Sequence, residues 1–367
     1  MRVKLEDVCE KGSSNLKQSD VVELKGDYPV YGASGCIGSV DFYHQENSYV
    51  AVVKDGAGIG RTTLHPAKSS VIGTMQYLLP KNNVLPEYLY YVVSYMHLEK
   101  YFTGATIPHI YFKDYKNEKF NLDSVDTQKQ VVDVLGKCEA VIELRKRELQ
   151  LLDDLIKARF VEMFGDPVIN PKGLPMVALG ELSELITKGA SPSWQGFSYT
   201  DDSSQTIFVT SENVREGYID LSFPKYIEDG FNEKQKRSVI HKGDFLINIV
   251  GASIGRAAQF NLDCKANMNQ AAALVRVNDS RVRDKYLLTY LNSDRAQRMY
   301  DSMKSDTGRA NLSLQDISDL LILLPNVEQQ IEFETFANQV DKSKVAVQKA
   351  LEETQLLFDS LMQQYFG

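Results

Sequence analysis

Residues 131–163 carry apolar side chains at alternating steps of three and four residues. Charged residues fill the other face, and Gly136 is the only glycine or proline inside the run. This heptad spacing predicts a long helix, from Asp126 to about Glu162, whose apolar seam meets a partner helix. At ~1.5 Å per residue, such a helix is on the order of 50 Å long. The predicted seam residues are Val131, Leu135, Cys138, Ile142, Leu149, Leu152, Ile156 and Met163.

The partner helix is predicted within the same chain, because the spacing recurs from residue 328 to the C-terminus. The two segments also begin and end alike, with Gln-Lys-Gln-Val at 128–131 against Glu-Gln-Gln-Ile at 328–331, and Phe-Gly at 164–165 and at 366–367. An intramolecular pair is favoured, since each seam would otherwise be exposed to water. The alternative is two unrelated amphipathic helices, each packed on its own domain. The second seam comprises Phe333, Phe336, Val340, Val347, Leu351, Phe358, Leu361 and Tyr365.

The composition is that of an ordinary soluble protein, with 43% hydrophobic and 25% charged residues among 367. The sequence contains no apolar run near ~18 residues, so we expect no membrane span, and its first residues are not typical of a signal peptide. The four cysteines are far apart and form no Cys-x-x-Cys pair. This spacing favours a cytoplasmic protein and argues against a structural zinc site.

The net charge of −8 at first opposes nucleic-acid binding. Residues 326–367, however, carry 3 Lys or Arg against 7 Asp or Glu, which accounts for half of this excess. The two predicted globular segments are near neutral, and a near-neutral domain can still present a basic face. Charge is therefore compatible with DNA binding but does not support it.

The two globular segments repeat one another at an offset of roughly 200 residues. Gly-Ala-Gly-Ile-Gly-Arg at 56–61 matches Gly-Ala-Ser-Ile-Gly-Arg at 251–256, and Met75-Gln76 corresponds loosely to Asn269-Gln270. Outside such anchors the segments differ in length and sequence, which suggests two sites of one kind that read different ligands. The predicted order is a globular domain at 1–125, a helix at 126–165, a globular domain at 166–325 and a helix at 326–367.

Several catalytic motifs are missing from the sequence. The glycine run at 56–61 fails the dinucleotide-binding spacing, because Arg61 stands where the third glycine belongs. The sequence has no P-loop, no His-Glu-x-x-His zinc motif and no methyltransferase signature. We therefore interpret the chain as a binding protein with no catalytic residues, no metal site and no cofactor of its own.

The chain resembles the specificity (S) subunits of type I restriction–modification systems over essentially its whole length. The resemblance rests on the order of several short motifs within the duplicated frame. These are Tyr-Pro-Val-Tyr-Gly-Ala-Ser-Gly at 28–35, the paired glycine–arginine runs, Thr-Lys-Gly-Ala-Ser-Pro at 187–192, Leu-Pro-x-x-Glu-Gln-Gln at 324–330 and the C-terminal Ser-Leu-Met-Gln-Gln-Tyr-Phe-Gly. The first helix departs slightly, since no Leu-Pro pair precedes it.

The resemblance implies an α+β (α/β) protein in which two target recognition domains are separated by two long antiparallel coiled-coil helices with pseudo-two-fold duplication. Each domain would read one half of a bipartite, asymmetric site on double-stranded DNA. The helices would set the spacing and bind two methyltransferase (M) subunits, joined in restricting systems by motor and nuclease (R) subunits. S-adenosylmethionine, ATP and Mg²⁺ would belong to those partners, which carry out adenine-N6 methylation and cleavage.

Candidate DNA contacts are side chains that can reach groove edges or phosphates, such as Arg to guanine and Asn or Gln to adenine. For each, the alternative is a solvated loop residue. Arg61 and Arg256 occupy equivalent positions in both domains, which suits phosphate contacts better than base reading. Trp194 is either an exposed contact or a local core residue. The candidates are Lys54, Arg61, His65, Lys68 and His109 in the first domain, and Lys188, Ser191, Trp194, Asn213, Arg215, Arg256, Asn269, Gln270, Arg309 and Asn311 in the second.

Two other classes of function stay open at this point. One is a non-enzymatic DNA-binding or coiled-coil scaffold protein from another defence or chromosome-organising system. The other, an enzyme with its own nuclease or methyltransferase centre, is disfavoured by the missing motifs. Co-purification distinguishes an S subunit from a scaffold protein, because an S subunit retains a large S-adenosylmethionine-binding partner whereas a scaffold protein does not.

Overall fold

The computed structural model describes residues 1–22, 25–56, 58–103, 108–166, 169–303 and 311–367. The chain divides into two compact units. Unit 1 comprises Met1–Arg147 together with Val347–Gly367, and unit 2 comprises Glu148–Ala346. Both divisions fall inside long helices, so each unit contains one part of each helix. The four domains predicted from the sequence are defined by their expected functions, and this division stays a prediction.

The described part of unit 1 mixes short strands with short helices and then enters the first long helix. Its strands are β1 (Arg2–Lys4), β2 (Cys9–Ser13), β3 (Tyr28–Gly32), β4 (Gly35–Val40), β5 (Tyr49–Val53), β6 (Thr62–His65), β7 (Ser70–Val71), β8 (Met75–Pro80) and β9 (Lys119–Asn121). Its helices are α1 (Leu5–Val8), α2 (Gln18–Val22), α3 (Pro86–Tyr95), α4 (Phe112–Tyr115) and the start of α5 (Val125–Phe164), with a 3-10 turn at Leu98–Tyr101.

The described part of unit 2 follows the same plan. Its strands are β10 (Met176–Ala178), β11 (Ser183–Lys188), β12 (Tyr199–Thr200), β13 (Thr206–Val209), β14 (Tyr226–Ile227), β15 (Phe245–Asn248), β16 (Ala257–Gln259), β17 (Ala266–Met268), β18 (Ala272–Val277) and β19 (Leu321–Leu323). Its helices are α6 (Leu179–Leu182), α7 (Pro192–Gln195), α8 (Gly230–Lys234), α9 (Asp284–Leu291), α10 (Asp294–Met303), α11 (Leu314–Ser318) and the start of α12 (Val327–Phe366), with 3-10 turns at Lys236–Ser238 and Gly251–Ser253.

The sheets confirm the predicted α+β class and the internal duplication. The main sheet has strand order β2-β8-β5-β6 in unit 1 and β11-β18-β15-β16 in unit 2, and all of its pairs are antiparallel. A second, smaller sheet contains one parallel pair in each unit, β3 with β7 and β13 with β17. The β5 strand, Tyr-Val-Ala-Val-Val, is rich in β-branched residues and buried on both faces, as a central strand requires.

One anchor of the predicted repeat is wrong by three residues. Met75 pairs with Val53 in unit 1, and the residue that takes this place in unit 2 is Ala272, which pairs with Asn248. The predicted match was Met75-Gln76 with Asn269-Gln270. Asn269 instead forms the turn into β18, where its side chain accepts a hydrogen bond from the Ala271 amide at 3.0 Å.

The long helices pair within each unit, and the pairing is antiparallel. In unit 1, Val131 and Leu135 near the start of α5 share a core with Met362 near the end of α12. In unit 2, Ile156, Phe160 and Phe164 near the end of α5 share a core with Phe333, Ala337 and Val340 near the start of α12. An ion pair between Arg159 and Glu332, at 2.8 Å, joins the helices of unit 2.

The predicted intramolecular pair is confirmed, and the end of α5 packs on its own globular part as well. Phe160 and Phe164 lie outside the predicted seam and contact Tyr286 of α9 as well as Phe333 of α12, with ring centroids 4.9–5.7 Å apart. The end of α5 thus packs on its partner helix and on the globular part of unit 2 at once. The predicted seam residues Leu149, Leu152 and Met163 are only half-buried.

A buried glutamine anchors the start of each long helix. The Gln128 side chain accepts a hydrogen bond from the Leu85 amide at 2.9 Å and donates to the carbonyls of Asn83 and Asp123, both at 3.0 Å. Gln330 forms the equivalent set with the Arg283 amide at 2.8 Å and the carbonyls of Arg281 and Pro325 at 2.9 and 2.8 Å. Gln128 thus holds the start of α5 against the loop before α3, and Gln330 holds the start of α12 against the loop before α9.

None of the helices in the described ranges combines the length and the apolarity that a bilayer crossing requires.

Candidate nucleic-acid interface

The glycine–arginine turns, at 56–61 and 251–256, are closed by the same pair of backbone hydrogen bonds in both units. In unit 1 the Gly60 amide donates to the Val53 carbonyl, and the Val53 amide donates to the Arg61 carbonyl, both at 2.9 Å. In unit 2 the same two bonds join Gly255 to Asn248 and Asn248 to Arg256, again at 2.9 Å. The sequence match of these turns is therefore a structural equivalence.

The last glycine of each turn is required by its backbone and by its neighbours. Gly60 and Gly255 have φ angles of 81° and 88°, which L-residues with a side chain rarely adopt. A Cβ atom on Gly60 would lie 2.4 Å from the Glu99 amide nitrogen, and one on Gly255 would lie 2.5 Å from the Tyr300 ring. Gly60 consequently lies against the 3-10 turn at Leu98–Tyr101, and Gly255 lies against α10.

The two equivalent arginines differ in what they contact. Arg61 donates a hydrogen bond from Nη1 to the Ala33 carbonyl at 2.8 Å, so its guanidinium is partly engaged within unit 1. Arg256 is exposed, and no hydrogen bond or ion pair to its guanidinium occurs among the residues that the structure describes. Arg256 is therefore the better placed of the two to meet an anion from solution.

Arg256 lies on a cleft of about 510 Å³ in unit 2, which we call the Arg256 cleft. Its lining includes three cations, Arg215, Lys225 and Arg256, and one fully polar loop at 211–213. Phe223, also in the lining, is 89% exposed. The cleft brings together three of the predicted contacts, Asn213, Arg215 and Arg256, and adds Lys225 and Phe223, which the sequence did not single out.

Two carboxylates in the cleft hold two of its three cations in place. Glu212 accepts from Lys225 Nζ at 2.9 Å, and this hydrogen bond lowers the pKa of Glu212. Asp220 lies 3.4 Å from Arg215 Nε, and hydrogen bonds from Ser222, first through its backbone amide, lower the pKa of Asp220. Both acids are therefore ionised at neutral pH, and the cleft presents both signs of charge.

Asn213 is a correction to the predicted contacts. Its side chain is 8% exposed and accepts hydrogen bonds from the Thr210 amide at 2.8 Å and hydroxyl at 3.1 Å. Its amide group donates to the Asp220 carbonyl at 2.9 Å. Its carbonyl oxygen and one amide hydrogen are thus engaged within the loop, so the main role of Asn213 is to shape the cleft.

The other predicted residues of the second domain lie outside the lining of this cleft. Trp194 is 88% exposed in α7, which removes the interpretation as a core residue. Lys188 and Gln270 are exposed, and Ser191 and Asn269 are half-buried. Asn311 is exposed and forms a bridge with Val250 beside the glycine turn. Arg309 lies outside the described residues.

In unit 1 the glycine turn is flanked by a different set of side chains. His109 Nδ1 lies 2.6 Å from Asp55 Oδ1, and Lys54 pairs with Asp55 at 3.4 Å. The His109 ring stacks on Tyr111 with centroids 6.4 Å apart, and Lys113 Nζ lies 5.2 Å from the Tyr111 centroid. Tyr111 and Lys113 are exposed and were missed in the sequence, because neither belongs to a recognisable motif.

His65 is a second correction. It is 5% exposed, with its ring between Tyr31 and Tyr49 at centroid distances of 4.4 and 5.3 Å, and its Nε2 lies 2.8 Å from the Thr63 hydroxyl. Burial lowers the pKa of His65 to about 4. His65 is thus a neutral core residue that cannot reach DNA, whereas Lys68, in the next turn, is exposed.

Within the described ranges, no group of three or more His, Cys, Asp or Glu side chains is placed to hold a metal ion. In each unit, cations and an exposed aromatic ring lie near the glycine–arginine turn.

Comparison with known proteins identifies relatives of the same kind. The model of the type I restriction modification DNA specificity domain matches residues 1–153 and 171–354. The specificity subunit of the type I restriction enzyme EcoBI from Escherichia coli is 27% identical over 42% of this chain and 33% of its own length. The specificity subunit of the MjaVIII enzyme from Methanocaldococcus jannaschii is 21% identical over 77% of this chain and 69% of its own.

The fold also matches a solved structure. The S subunit of a type I restriction–modification system from M. genitalium superposes with a TM-score of 0.59 at 14% identity. The match covers 100% of this chain and 96% of that one. At this level of identity the similarity concerns the fold.

Proposed function

The chain belongs to the type I restriction modification DNA specificity family, and we propose that its two units read the two halves of one bipartite, asymmetric DNA sequence. One observation carries this proposal. The glycine–arginine turns of the two units are closed by the same pair of backbone hydrogen bonds, yet the side chains around them are unlike. A shared frame places each surface against DNA in the same way, and the unlike side chains select different bases.

In unit 2 the proposed reading surface is centred on the Arg256 cleft. Arg256 contacts a phosphate, because its position recurs in both units and therefore suits the part of DNA that does not vary. Arg215 and Lys225 contact base edges or phosphates, and the exposed side chains of Trp194, Lys188 and Gln270 are further candidate contacts. In unit 1 the corresponding surface consists of His109, Tyr111 and Lys113, with Lys54, Arg61 and Lys68.

The long helices are the proposed platform for methyltransferase subunits. Along α5, Leu144, Leu151 and Leu155 are 65%, 57% and 45% exposed, and their spacing of seven and four places them on one helix face. Exposed leucines at heptad spacing favour docking of another subunit. The chain itself is proposed to be non-catalytic: S-adenosylmethionine binds to the methyltransferase subunits, and ATP and Mg²⁺ bind to motor and nuclease subunits in a restricting system. The complex is expected to act in the cytoplasm.

Exchange of residues 166–325 for the corresponding segment of a relative tests the proposal. The hybrid and the wild type are each produced with their methyltransferase partner, and the methylated sequences are mapped in host DNA. One half-site should change while the other stays. The reciprocal exchange of residues 1–125 is the matched control and should change the opposite half. A change in both halves, or a palindromic uninterrupted site, contradicts independent reading by two units.

The helices are proposed to set the number of unread base pairs between the half-sites. Deleting one heptad from each removes ~10 Å of helix at ~1.5 Å per residue. With ~3.4 Å per base pair, the gap should shorten by up to about three pairs. Deleting two residues from each rotates the seam by about 200° and should destabilise the protein instead. An unchanged gap in a folded, active heptad variant contradicts this role.

A further inference from the structure

Phe223 has an unusual position for a large apolar side chain. It is 89% exposed, and it lines the Arg256 cleft among charged and polar groups. It belongs to none of the hydrophobic clusters found among the described residues. The fold of unit 2 therefore gains nothing from an aromatic ring at this position.

The charges of the cleft indicate which part of DNA the ring faces. A surface that only grips phosphates consists of cations, whereas this cleft also contains Glu212 and Asp220, both with a lowered pKa. Carboxylates close to phosphates are unfavourable, but at base edges they accept hydrogen bonds from the cytosine amino group. The mixed charges thus favour base edges over phosphates as the partner of the cleft.

Apolar side chains have one specific partner at the base edges of the major groove, the C5-methyl group of thymine. We propose that Phe223 is a specificity-determining residue that contacts a thymine methyl group in the half-site read by unit 2. This inference rests on the proposed function and deepens it, since it names the base that one side chain selects. Lys225 and Arg215, held by their carboxylates, fix the orientation of the loop that carries the ring.

The experiment uses the full chain assembled with its methyltransferase subunits and a duplex that contains the mapped target. Thymines of each half-site are replaced one at a time by uracil, which removes only the methyl group. Affinities are measured for the wild type, for Phe223→Ala and for Phe223→Leu. Phe102→Ala, which alters an exposed aromatic residue of unit 1, is the matched control.

One uracil in the half-site of unit 2 should weaken wild-type binding about fourfold, the value of one buried methyl group. Phe223→Ala should bind the thymine target about tenfold more weakly and lose the uracil penalty at that position, and Phe223→Leu should retain part of both. Phe102→Ala should leave that penalty unchanged. Because the ring is exposed, the thermal stability of Phe223→Ala should equal that of the wild type.

Two results overturn the inference while leaving the proposed function intact. One is a specific wild-type complex in which Phe223→Ala retains the full uracil penalty at every position. The other is a mapped half-site for unit 2 with no thymine on either strand. A wild-type complex without any sequence preference contradicts the proposed function itself and is recognised before the variants are compared.

Discussion

The main sheets of the two units have the same strand order, but different side-chain interactions stabilise the start of β5 and of β15. In unit 1, Tyr49 precedes the pair Val50–Leu78, and its buried hydroxyl accepts a hydrogen bond from Ser69 at 2.9 Å. In unit 2 the equivalent place, before the pair of Phe245 with Val275, is taken by Asp244. An aromatic ring and an acidic group thus occupy the same position in the two sheets.

The acid of unit 2 is balanced by a cation on the neighbouring strand. Arg276 donates to Asp244 through Nε at 2.8 Å and Nη2 at 2.7 Å, and the Asp244 side chain is 2% exposed. In unit 1 the residue in the place of Arg276 is Leu79, which packs beside Tyr49 and Tyr77. The comparison shows that the frame fixes the backbone, whereas the means of closing it differ: apolar packing in one unit, a paired buried charge in the other.

The largest expected effect comes from breaking the charge pair. Arg276→Met leaves Asp244 buried without its partner and should lower the free energy of unfolding by about 3–5 kcal/mol. At the equivalent position of unit 1, Leu79→Met should cost less than about 1.5 kcal/mol. Urea denaturation of the full chain measures both. Arg281→Met, which removes the exposed pair with Asp279, is the control and should cost about 1 kcal/mol or less. Equal losses for Arg276→Met and Arg281→Met contradict the comparison.

Acid should destabilise unit 1 through His65, which has no buried histidine counterpart among the described residues of unit 2. The pKa of His65 is about 4 in the folded chain and about 6.5 when unfolded, so between these values only the unfolded chain takes up the proton. The contribution to stability is complete above pH ~6.5 and is lost as pH falls towards 4, by up to about 3 kcal/mol.

Unfolding free energies at pH 7.5 and 4.5 test this expectation. His65→Phe should have a smaller loss between the two values than the wild type, because its ring does not titrate. His241→Phe, which replaces an exposed histidine of unit 2, should behave as the wild type does. An identical pH dependence in the wild type and in His65→Phe counts against a neutral buried His65.

The shared part of the frame is tested by the two anchoring glutamines. Gln128→Ala and Gln330→Ala each remove three hydrogen bonds and leave buried backbone groups unpaired, so each should cost about 2 kcal/mol. Because the bonds are equivalent, the two losses should agree within about 0.5 kcal/mol. Denaturation measures them, and Gln329→Ala, at an adjacent position, serves as the control. A twofold difference between the two variants shows that the equivalence is geometric only.

The smallest effect concerns the equivalent arginines. Arg256→Ala should weaken DNA binding about tenfold and reduce the slope of log affinity against log salt by about one, as expected for a lost phosphate contact. Arg61→Ala should cost less than about threefold, because its guanidinium is already bonded to the Ala33 carbonyl. Salt titrations of binding by the assembled complex compare the two. Equal effects contradict the distinction drawn between these residues.

The long helices and the duplication were predictable because both leave periodic traces in the sequence. Steps of three and four at Leu135, Cys138 and Ile142 identified a seam, and the Gly-Ala-x-Ile-Gly-Arg runs identified equivalent turns. Phe160 and Phe164 were not predicted as seam residues. They pack on the globular core as well as on the partner helix, and heptad spacing predicts only contacts with a partner helix.

The candidate contacts were less predictable, because residue type alone does not determine exposure. His65 and Asn213 have the chemistry to read a base, yet tertiary packing buries one between two rings and engages the other in its own loop. Phe223 presents the opposite case: an apolar residue in an irregular loop has no periodic signal that distinguishes it from a core residue. Only the folded loops bring it beside Arg215 and Arg256.

The discontinuous composition of unit 1 has a consequence for synthesis on the ribosome. Unit 2 is a single stretch of chain, Glu148–Ala346, so all of its residues are synthesised consecutively. The core around Val131 and Leu135 instead lacks Met362 until the ribosome has added more than 200 further residues. Unit 1 therefore keeps apolar surface exposed while unit 2 is synthesised, and it can close only after residue 362 has emerged. A nascent chain stopped before residue 347 is expected to present that surface to chaperones.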